Sequence, residues 1–385
     1  MHNQDKKEGR KMKPFGIVPS ITEYADFASY AKEAKLGKQD LILTNEYIYR
    51  PVIADLELGC QTLFQEEFGG GEPTDEMVNA ILDALREMKY TRIIAVGGGT
   101  IIDIAKVLAV AAPQDSVDDL YDKMASGLTK VHPLTIVPTT CGTGSEVTNI
   151  SIINRISRGV KQGIVSESMF ADEAVLIPGM LMSLPYGVFA TSSIDAMIHA
   201  VESYLSPNAC SLSELFSVEA LHLILQGWQR AVKEGGKDAW KSNASEFLRA
   251  SNYAGIAFGH AGCAAVHAMA YPLGSVHHIP HGQANQLMFA DVMRKYAEKQ
   301  SDGKLADLSA ILGKELGAAE KDGLNALYKL MDDVLKKEPL RAHGVTEEEL
   351  PVFAKNVIET QQRLLGNNFV PLSEDEILEI YRNAF

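Results

Sequence analysis

The chain has 385 residues, of which 46% are hydrophobic and 22% are charged, proportions that are typical of an ordinary globular protein. Two domains are expected, because single hydrophobic cores stop growing at roughly 250–300 residues. The formal net charge of −14 argues against nucleic-acid binding, since an acidic surface repels phosphate backbones. No apolar run reaches the length of a membrane-spanning helix, so no membrane partner is expected.

The N-terminal residues 1–13, MHNQDKKEGRKMK, are polar and charged, and they lack the apolar core of a secretory signal. We expect them to form a disordered or helical tail. The four cysteines, Cys60, Cys141, Cys210 and Cys263, are scattered without a CxxC pair, which is typical of reduced thiols in a cytoplasmic protein. Because no spacing groups them, none is predicted to be a strong metal ligand.

Up to about residue 185, short apolar runs alternate with amphipathic stretches. Strands are predicted at DLILTN (40–45), TLFQ (62–65), RIIAVGG (92–98) and LTIVPTT (134–140). Between them, residues 75–88 have helical periodicity and a carboxylate-rich start. This alternation predicts a parallel sheet covered on both faces. Residues 151–166 are predicted to form a β-hairpin with Arg158 and Gly159 in its turn.

After residue 185 the pattern becomes helical and strand-like runs nearly disappear. Helical periodicity is present in residues 193–205, 213–232, 243–259 and 324–337. We therefore expect an α/β nucleotide-binding domain over residues 1–185 and an all-α metal-binding and substrate domain over residues 186–385.

A glycine-rich turn, Gly97-Gly98-Gly99-Thr100, directly follows the predicted strand RIIAV. Without side chains, its backbone N–H groups can approach an anion, and the helix that follows aims its positive end at the same place. The turn is not the GxGxxG fingerprint, and three glycines alone also occur in ordinary turns. A second loop of small residues, 139–145, follows the next strand, and the two loops would flank one ligand cleft.

A candidate metal site is spread over two segments. Asp195 and His199 are four residues apart, so on a helix they share one face. Residues 266–282 contain four histidines, among which His267 and His281 flank a bend predicted at Pro-Leu-Gly. A single helical histidine is usually a hydrogen-bonded core residue, but this density favours ligation. Carboxylate and imidazole ligands suit Fe²⁺, Zn²⁺, Mn²⁺ or Co²⁺, and the sequence leaves the choice open.

Four segments together resemble the signatures of the iron-dependent (group III) alcohol dehydrogenases, and the resemblance covers essentially the whole chain. They are GGGTIIDIAK, PTTCGTGSEVT, DAMIHAVESY and GCAAVHAMAYPLGSVHHIPHGQAN. The resemblance implies a dehydroquinate synthase-like architecture, a small-molecule substrate, and a homodimer or higher homo-oligomer. It implies one divalent metal, with Fe²⁺ first and Zn²⁺ as the alternative, on Asp195, His199, His267 and His281. It also implies NAD(H) on Asn45, Gly97, Gly98, Gly99, Thr100, Asp103, Thr139, Thr140, Thr143 and Lys161.

Further stretches resemble one branch of that family, and they imply hydride transfer between NAD(H) and 4-hydroxybutyrate or succinate semialdehyde. These stretches are LILTNEYIYRP (41–51), FGGGEPTDEM (68–77), SNYAGIAFG (251–259) and QQRLLGNN (361–368). Arg363, in QQRLLGNN, is the candidate to hold the substrate carboxylate; the alternative for Arg363 is a surface salt bridge, and His277 and His278 are the reserve candidates for the carboxylate. The alternatives are another small alcohol or aldehyde as substrate, a lyase of the dehydroquinate synthase type, or a catalytically silent metal-binding protein.

Two positions depart from the pattern of the wider family. Tyr271 stands where many members have a histidine that is thought to relay a proton, so Tyr271, His277 or His278 could take that role. Asn45 stands where many members have an aspartate that would repel the 2′-phosphate of NADPH. A strict preference for NADH is therefore not predicted from the sequence.

Overall fold

The computed structural model describes residues 14–385, so the predicted tail of residues 1–13 lies outside the described residues. The N-terminal part is built on a six-stranded sheet with the order β1-β8-β5-β4-β2-β3, in which all neighbouring strands are parallel. Its strands are β1 (Ser20–Glu23), β2 (Asp40–Thr44), β3 (Gln61–Phe64), β4 (Arg92–Gly97), β5 (Leu134–Pro138) and β8 (Glu173–Leu176).

The three inner strands that the sequence analysis predicted are apolar on both faces, as a parallel sheet between two helical layers requires. In β2, the side chains of Leu41 and Leu43 join one core, while Ile42 joins the core on the opposite face. The four predicted strands are confirmed. The strands β1 and β8, of four residues each, were not predicted.

Five helices cover the sheet: α1 (Phe27–Glu33), α2 (Glu46–Val52), α3 (Asp75–Leu85), α4 (Gly99–Leu108) and α5 (Val117–Met124). The predicted helix over 75–88 is thus confirmed as α3, with the side chain of Thr74 accepting a hydrogen bond from the Met77 N–H at its start. The predicted hairpin is also confirmed. It consists of β6 (Ile150–Arg155) and β7 (Val160–Val165), and the turn between them ends at Gly159 with φ 61°.

The C-terminal part is helical, and no strand occurs between residue 186 and residue 385. It consists of α6 (Tyr186–Leu205), α7 (Ser211–Glu234), α8 (Ala244–Ala261), α9 (Ala265–His277), α10 (His281–Lys299), α11 (Lys304–Leu316), α12 (Gly323–Val334), α13 (Glu349–Thr360), α14 (Gln362–Leu365) and α15 (Glu374–Ala384). In residues 14–385 no helix combines the length and the apolar character needed to cross a membrane. The predicted fold class, an α/β part followed by an all-α part, is confirmed.

The two parts meet backbone to backbone along a seam formed by the loop after β5 and by helices α6 and α8. A Cβ atom on Gly142 would lie 2.7 Å from the carbonyl oxygen of Ser192, and one on Gly144 would lie 2.5 Å from the Cα atom of Gly255. Gly144 also has φ 53°, a left-handed conformation that favours glycine. Glycine is therefore needed at both positions to let the loop pack against the helical part.

Candidate active site

A cavity of about 570 Å³ lies between the two parts. Its walls come from the start of α4, the loop after β5, the hairpin β6–β7, and helices α6, α8, α9, α10 and α14. Many predicted site residues line it: Gly99, Thr100, Asp103, Thr143, Lys161, Asp195, His199, His267, Tyr271, His281 and Arg363. The structure thus brings residues that are far apart in the chain to one enclosed space.

The four predicted metal ligands form one cluster, in which Asp195, His199 and His267 are buried and His281 is partly exposed. The Oδ1 atom of Asp195 lies 3.5 Å from Nε2 of His267 and 3.7 Å from Nε2 of His281. The Oδ2 atom of Asp195 lies 3.9 Å from Nδ1 of His199, one turn further along α6. Asn285 also donates a hydrogen bond of 2.7 Å from Nδ2 to Oδ1 of Asp195. Helices α6, α9 and α10 therefore each contribute to the cluster.

Glu202 orients one of these ligands, and the sequence analysis did not single it out. Its Oε2 atom accepts hydrogen bonds from Nδ1 of His267 at 2.6 Å and from the Ala264 N–H at 2.9 Å. Its Oε1 atom accepts from the Val266 N–H at 2.7 Å. A carboxylate on Nδ1 leaves Nε2 as the ligating nitrogen of His267. Glu202 follows Asp195 by seven residues on α6, a helical spacing that could have revealed it.

The charges in the cluster favour a cation at its centre. Burial lowers the pKa of His199 to about 3 and that of His281 to about 4, so both imidazoles keep a free lone pair. Burial alone would raise the pKa of Asp195, but the surrounding imidazoles hold it below its usual value. Burial opposes a charge on His267 too, yet Glu202 and Asp195 raise its pKa to about 9. Without a metal these carboxylates therefore favour a proton on the ring, and a bound cation would replace that proton.

One atom of the cluster is orphaned, and it supports the same interpretation. Nε2 of His267 is buried without a hydrogen-bond partner among the described residues, which is costly unless a further group engages it. A carboxylate and three imidazoles around this atom are a donor set for Fe²⁺ or Zn²⁺. The residues present therefore fit a divalent metal.

Cys263 lies closer to the cluster than the sequence analysis expected. Its sulfur and one ring nitrogen each of His199 and His267 all lie within 4.8 Å of one another. The pKa of the Cys263 thiol is raised well above its usual value, first by burial and then by Glu202. Cys263 lies four residues before His267 but precedes the start of α9, so helical spacing does not place its sulfur beside that ring.

The glycine-rich turn at the end of β4 leaves no room for side chains. A Cβ atom on Gly97 would lie 2.4 Å from Cγ1 of Ile101. A Cβ atom on Gly98 would lie 3.1 Å from Cγ2 of Thr140, and one on Gly99 would lie 3.0 Å from Cγ2 of Thr143. The two predicted loops are therefore in contact, as expected for a shared anion site at the start of α4. The cavity lining does not include four of the predicted cofactor residues, Gly97, Gly98, Thr139 and Thr140, which lie beside it. Asn45 follows β2, the strand next to β4.

Asp103 lines the cavity, but its carboxylate is used by the protein itself. Oδ1 accepts a hydrogen bond of 2.9 Å from Oγ of Ser145, and Oδ2 accepts one of 2.9 Å from the Ile152 N–H. The buried ammonium of Lys106 donates to Ser145 at 2.7 Å and to Thr148 at 2.9 Å, and burial lowers its pKa to about 8. These contacts fasten the loop after β5 and the hairpin to α4. Asp103 is thus placed to position the cofactor loops.

Lys161 projects from the hairpin into the cavity and is paired there with Glu72. Its Nζ atom lies 2.8 Å and 2.7 Å from the two carboxylate oxygens of Glu72, and 5.0 Å from the centre of the Tyr271 ring. Burial raises the pKa of the Tyr271 phenol, which keeps it neutral. Glu72 belongs to FGGGEPT and was not predicted to be a site residue. Tyr271 forms the apolar platform beneath this ion pair.

Arg363 and His277 are placed differently. Arg363 lines the cavity from α14, and within the described part of the chain no hydrogen bond or ion pair engages its exposed guanidinium. His277 lies outside the lining, with Nε2 at 3.1 Å from a carboxylate oxygen of Glu349. The structure therefore does not bring His277 to the site.

The bend predicted between His267 and His281 is wrong in position. Helix α9 continues through Pro272 to His277, and the chain turns only at His278, which has φ 54°.

Two profiles, both of iron-containing alcohol dehydrogenases, match the chain. The profile described as iron-containing alcohol dehydrogenase matches residues 22–178, and the profile of the C-terminal part of the iron-containing alcohol dehydrogenase family matches residues 189–385. The chain is 45% identical to a 4-hydroxybutyrate dehydrogenase of Clostridium kluyveri, over 97% of this chain and 100% of that protein. It is 35% identical to long-chain-alcohol dehydrogenase 1 of Geobacillus thermodenitrificans, over 82% of this chain and 80% of that protein.

Solved structures have the same architecture. An iron-containing alcohol dehydrogenase from Thermotoga maritima, 25% identical, superposes with a TM-score of 0.77 over 96% of this chain and 99% of that one. A sulfoacetaldehyde reductase from Bifidobacterium kashiwanohense, solved in complex with NAD⁺, is 22% identical and superposes with a TM-score of 0.83 over 97% and 99% of the two chains. At that identity the second likeness concerns the fold alone.

Proposed function

Because the chain belongs to the iron-containing alcohol dehydrogenase family, we propose that it transfers hydride between NAD(H) and the pair 4-hydroxybutyrate and succinate semialdehyde. The relative from Clostridium kluyveri, which matches over its full length, supports this substrate pair. The observation that carries the proposal is the composition of one cavity. It contains a cluster that fits a divalent metal, part of a phosphate-binding turn, and an arginine without an ionic partner among residues 14–385.

Asp195, His199, His267 and His281 hold the metal in this proposal, with Fe²⁺ first and Zn²⁺ as the alternative. When bound, the metal supplies Lewis acidity that polarises the substrate oxygen. The chain contributes the geometry, because Glu202 keeps Nε2 of His267 directed at the cluster and Asn285 holds Oδ1 of Asp195. Asp195, His199 and His267 are buried where they line the cavity, which limits the water that can surround the reacting oxygen.

The cofactor is held at the carboxyl edge of the sheet in this proposal. The N–H groups of the turn at Gly98 and Gly99 bind the pyrophosphate, and the loop containing Thr140 and Thr143 lies against them. Asp103 fixes that loop through Ser145. The nicotinamide, which donates or accepts the hydride, then lies in the cavity toward Lys161 and the metal cluster.

The substrate carboxylate needs a cation, since an unpaired carboxylate in a cavity is costly. Lys161 is already neutralised by Glu72, whereas the guanidinium of Arg363 has no partner among the described residues. We therefore assign the carboxylate to Arg363. Tyr271, as a neutral phenol beneath Lys161, supports the cofactor side of the cavity in this assignment.

Three further features belong to the proposal. The domain boundary falls at residues 185 and 186, where α6 begins and between the two profile matches. The protein acts in the cytoplasm, as its four free cysteines favour. It forms a homodimer or higher homo-oligomer, which the edge strand β1 supports with its exposed Ile21 and the exposed Ile17 and Val18 just before it.

The test is an assay of the Fe²⁺-loaded protein with NADH against succinate semialdehyde, butyraldehyde and glycolaldehyde. Succinate semialdehyde should have the highest kcat/KM. Arg363→Leu should lower that value roughly 10- to 100-fold, about 1.4–2.8 kcal/mol, because a charged hydrogen bond is lost. Butyraldehyde, which has no carboxylate, should be reduced as before. Arg86→Leu, at an exposed ion pair with Asp83, is the matched control.

Equal losses for both aldehydes in Arg363→Leu would remove Arg363 from the substrate site. Preference of the wild type for butyraldehyde or glycolaldehyde would assign another substrate. The absence of net NADH oxidation with every aldehyde would contradict the dehydrogenase activity and favour a lyase or a silent protein.

A further inference from the structure

The position of Asn45 relates it to the ribose of the cofactor. Asn45 directly follows β2, which pairs in parallel with β4, the strand that ends in the glycine-rich turn. In dinucleotide-binding sheets, an acidic side chain near this edge accepts hydrogen bonds from the adenosine ribose, and it excludes the 2′-phosphate of NADPH. Asn45 is uncharged, so the residue after β2 cannot exclude the phosphate by its own charge.

The turn after the adjacent strand β3 supplies a carboxylate next to Asn45. Glu66, in the turn after β3, accepts a hydrogen bond of 2.8 Å at Oε2 from Nδ2 of Asn45. Its Oε1 atom accepts from the Glu46 N–H at 2.5 Å. Nδ2 of Asn45 also donates to Oε1 of Gln65 at 3.1 Å. Both N–H bonds of the Asn45 amide are therefore used, and neither remains for a phosphate oxygen.

The remaining charges around Glu66 do not favour an added anion. Arg50 is the cation on the first turns of α2, and its guanidinium is paired with Glu46 in the same helix. Glu46, Glu66 and Arg50 together leave one net negative charge. A 2′-phosphate placed there would meet a carboxylate that has no ionic partner among residues 14–385, while a ribose hydroxyl would meet a hydrogen-bond acceptor.

We propose that Glu66, held by Asn45, is the residue that makes this enzyme select NAD(H) over NADP(H). The inference rests on the proposed function, because it assumes that a dinucleotide binds at the glycine-rich turn. The carboxylate occupies the place of the missing acidic residue after β2, although it is supplied from β3. Asn45 acts as the positioning residue for Glu66.

The test is the dissociation constant of NADH and of NADPH, measured by titration of nicotinamide fluorescence without substrate or added metal. The wild type should bind NADH more tightly. Glu66→Gln removes the charge and keeps the shape, so it should strengthen NADPH binding about 10-fold and change NADH binding less than 3-fold. Glu67→Gln removes the next carboxylate along the chain, and its selectivity should equal that of the wild type.

A second variant separates charge from shape. In the Glu66→Gln background, Asn45→Asp returns one carboxylate to the pair, and the preference for NADH should return. An unchanged ratio of the two dissociation constants in Glu66→Gln, or a wild type that prefers NADPH, would overturn the inference. If the wild type binds neither dinucleotide, the proposed function fails instead, so the two failures are distinguishable.

Discussion

The close contact at Gly282 makes the metal cluster sensitive to a single methyl group. Gly282 follows His281 on α10, and a Cβ atom there would lie 2.0 Å from the carbonyl oxygen of Thr191 on α6. Since side-chain Cβ atoms essentially never approach within 3.0 Å of another heavy atom, Gly282→Ala must separate the two helices by about 1 Å. His281 lies on α10 and Asp195 lies on α6, so this separation would move the two residues apart.

The expected effect of Gly282→Ala follows from the narrow range of metal–ligand distances that a metal site accepts. Ligand distances in such sites vary by only about 0.2 Å, so a shift of about 1 Å removes His281 from the cluster. Gly282→Ala should therefore lower metal affinity and kcat/KM by roughly 100-fold. Overpacking at the interface of the two helices should also cost about 1–3 kcal/mol of unfolding free energy.

The measurement combines metal content by mass spectrometry, Co²⁺ titration of the metal-free protein, and urea unfolding. Gly187→Ala is the control, because it lies on α6 and nothing lies within 4 Å of its ideal Cβ atom. It should retain the metal and gain up to about 1 kcal/mol of stability from helix propensity. If Gly282→Ala binds metal as tightly as Gly187→Ala, the contact between α6 and α10 does not control the cluster.

Three further predictions test the other parts of the site. His281→Ala should lose most bound metal, and His278→Ala should keep it, as elemental analysis of the purified variants would show. Gly98→Val should raise the KM for NADH at least 10-fold, because the new side chain would press on Thr140, whose Cγ2 atom is already 3.1 Å from an ideal Cβ; an unchanged KM in a folded variant would exclude this turn as the phosphate site. The carboxylate of Asp75 accepts hydrogen bonds from the N–H of Ile156 and the hydroxyl of Ser157, and these bonds outweigh burial and lower its pKa. Asp75→Asn should therefore cost about 1–2 kcal/mol of unfolding free energy at pH 7. The difference should shrink as the pH falls below 3.8, the ordinary pKa, toward the lowered folded value, and a constant difference in urea unfolding at pH 7 and pH 3 would contradict it.

The metal cluster could be predicted from the sequence because two of its ligands share a helix and two lie in one histidine-rich segment. Spacing of four residues puts Asp195 and His199 on one face regardless of the rest of the fold. Glu202 lies seven residues after Asp195 on α6, so helical periodicity could have revealed it, but its partners at the start of α9 are far from it in the chain. The approach of Cys263 to the ring of His199 could not be predicted, because these residues are far apart in the chain.

In the proposed cofactor part of the site, the loops could be predicted from the sequence but their charged neighbours could not. Glycines and small residues after strands are recognisable locally, and the structure brings the two loops into contact. The charged side chains that pair with site residues could not be predicted from local sequence patterns. Glu72 pairs with Lys161 across 89 residues of sequence, and Glu66 reaches Asn45 from the next strand of the sheet. Such pairs depend on strand order, which no local pattern encodes.

The seam between the two parts limits how the molecule can open. Nδ1 of His199 lies 3.3 Å from the carbonyl oxygen of Gly142, so a proposed metal ligand of the helical part contacts the backbone of the loop after β5. Close backbone contacts at Gly142 and Gly144 join the two parts along the same seam. A rigid-body opening of the two parts would therefore pivot along this seam and open most on the far side, between the hairpin β6–β7 and α14. Cofactor and substrate would then enter past Lys161 and Arg363, and the residues proposed to hold the metal would move least.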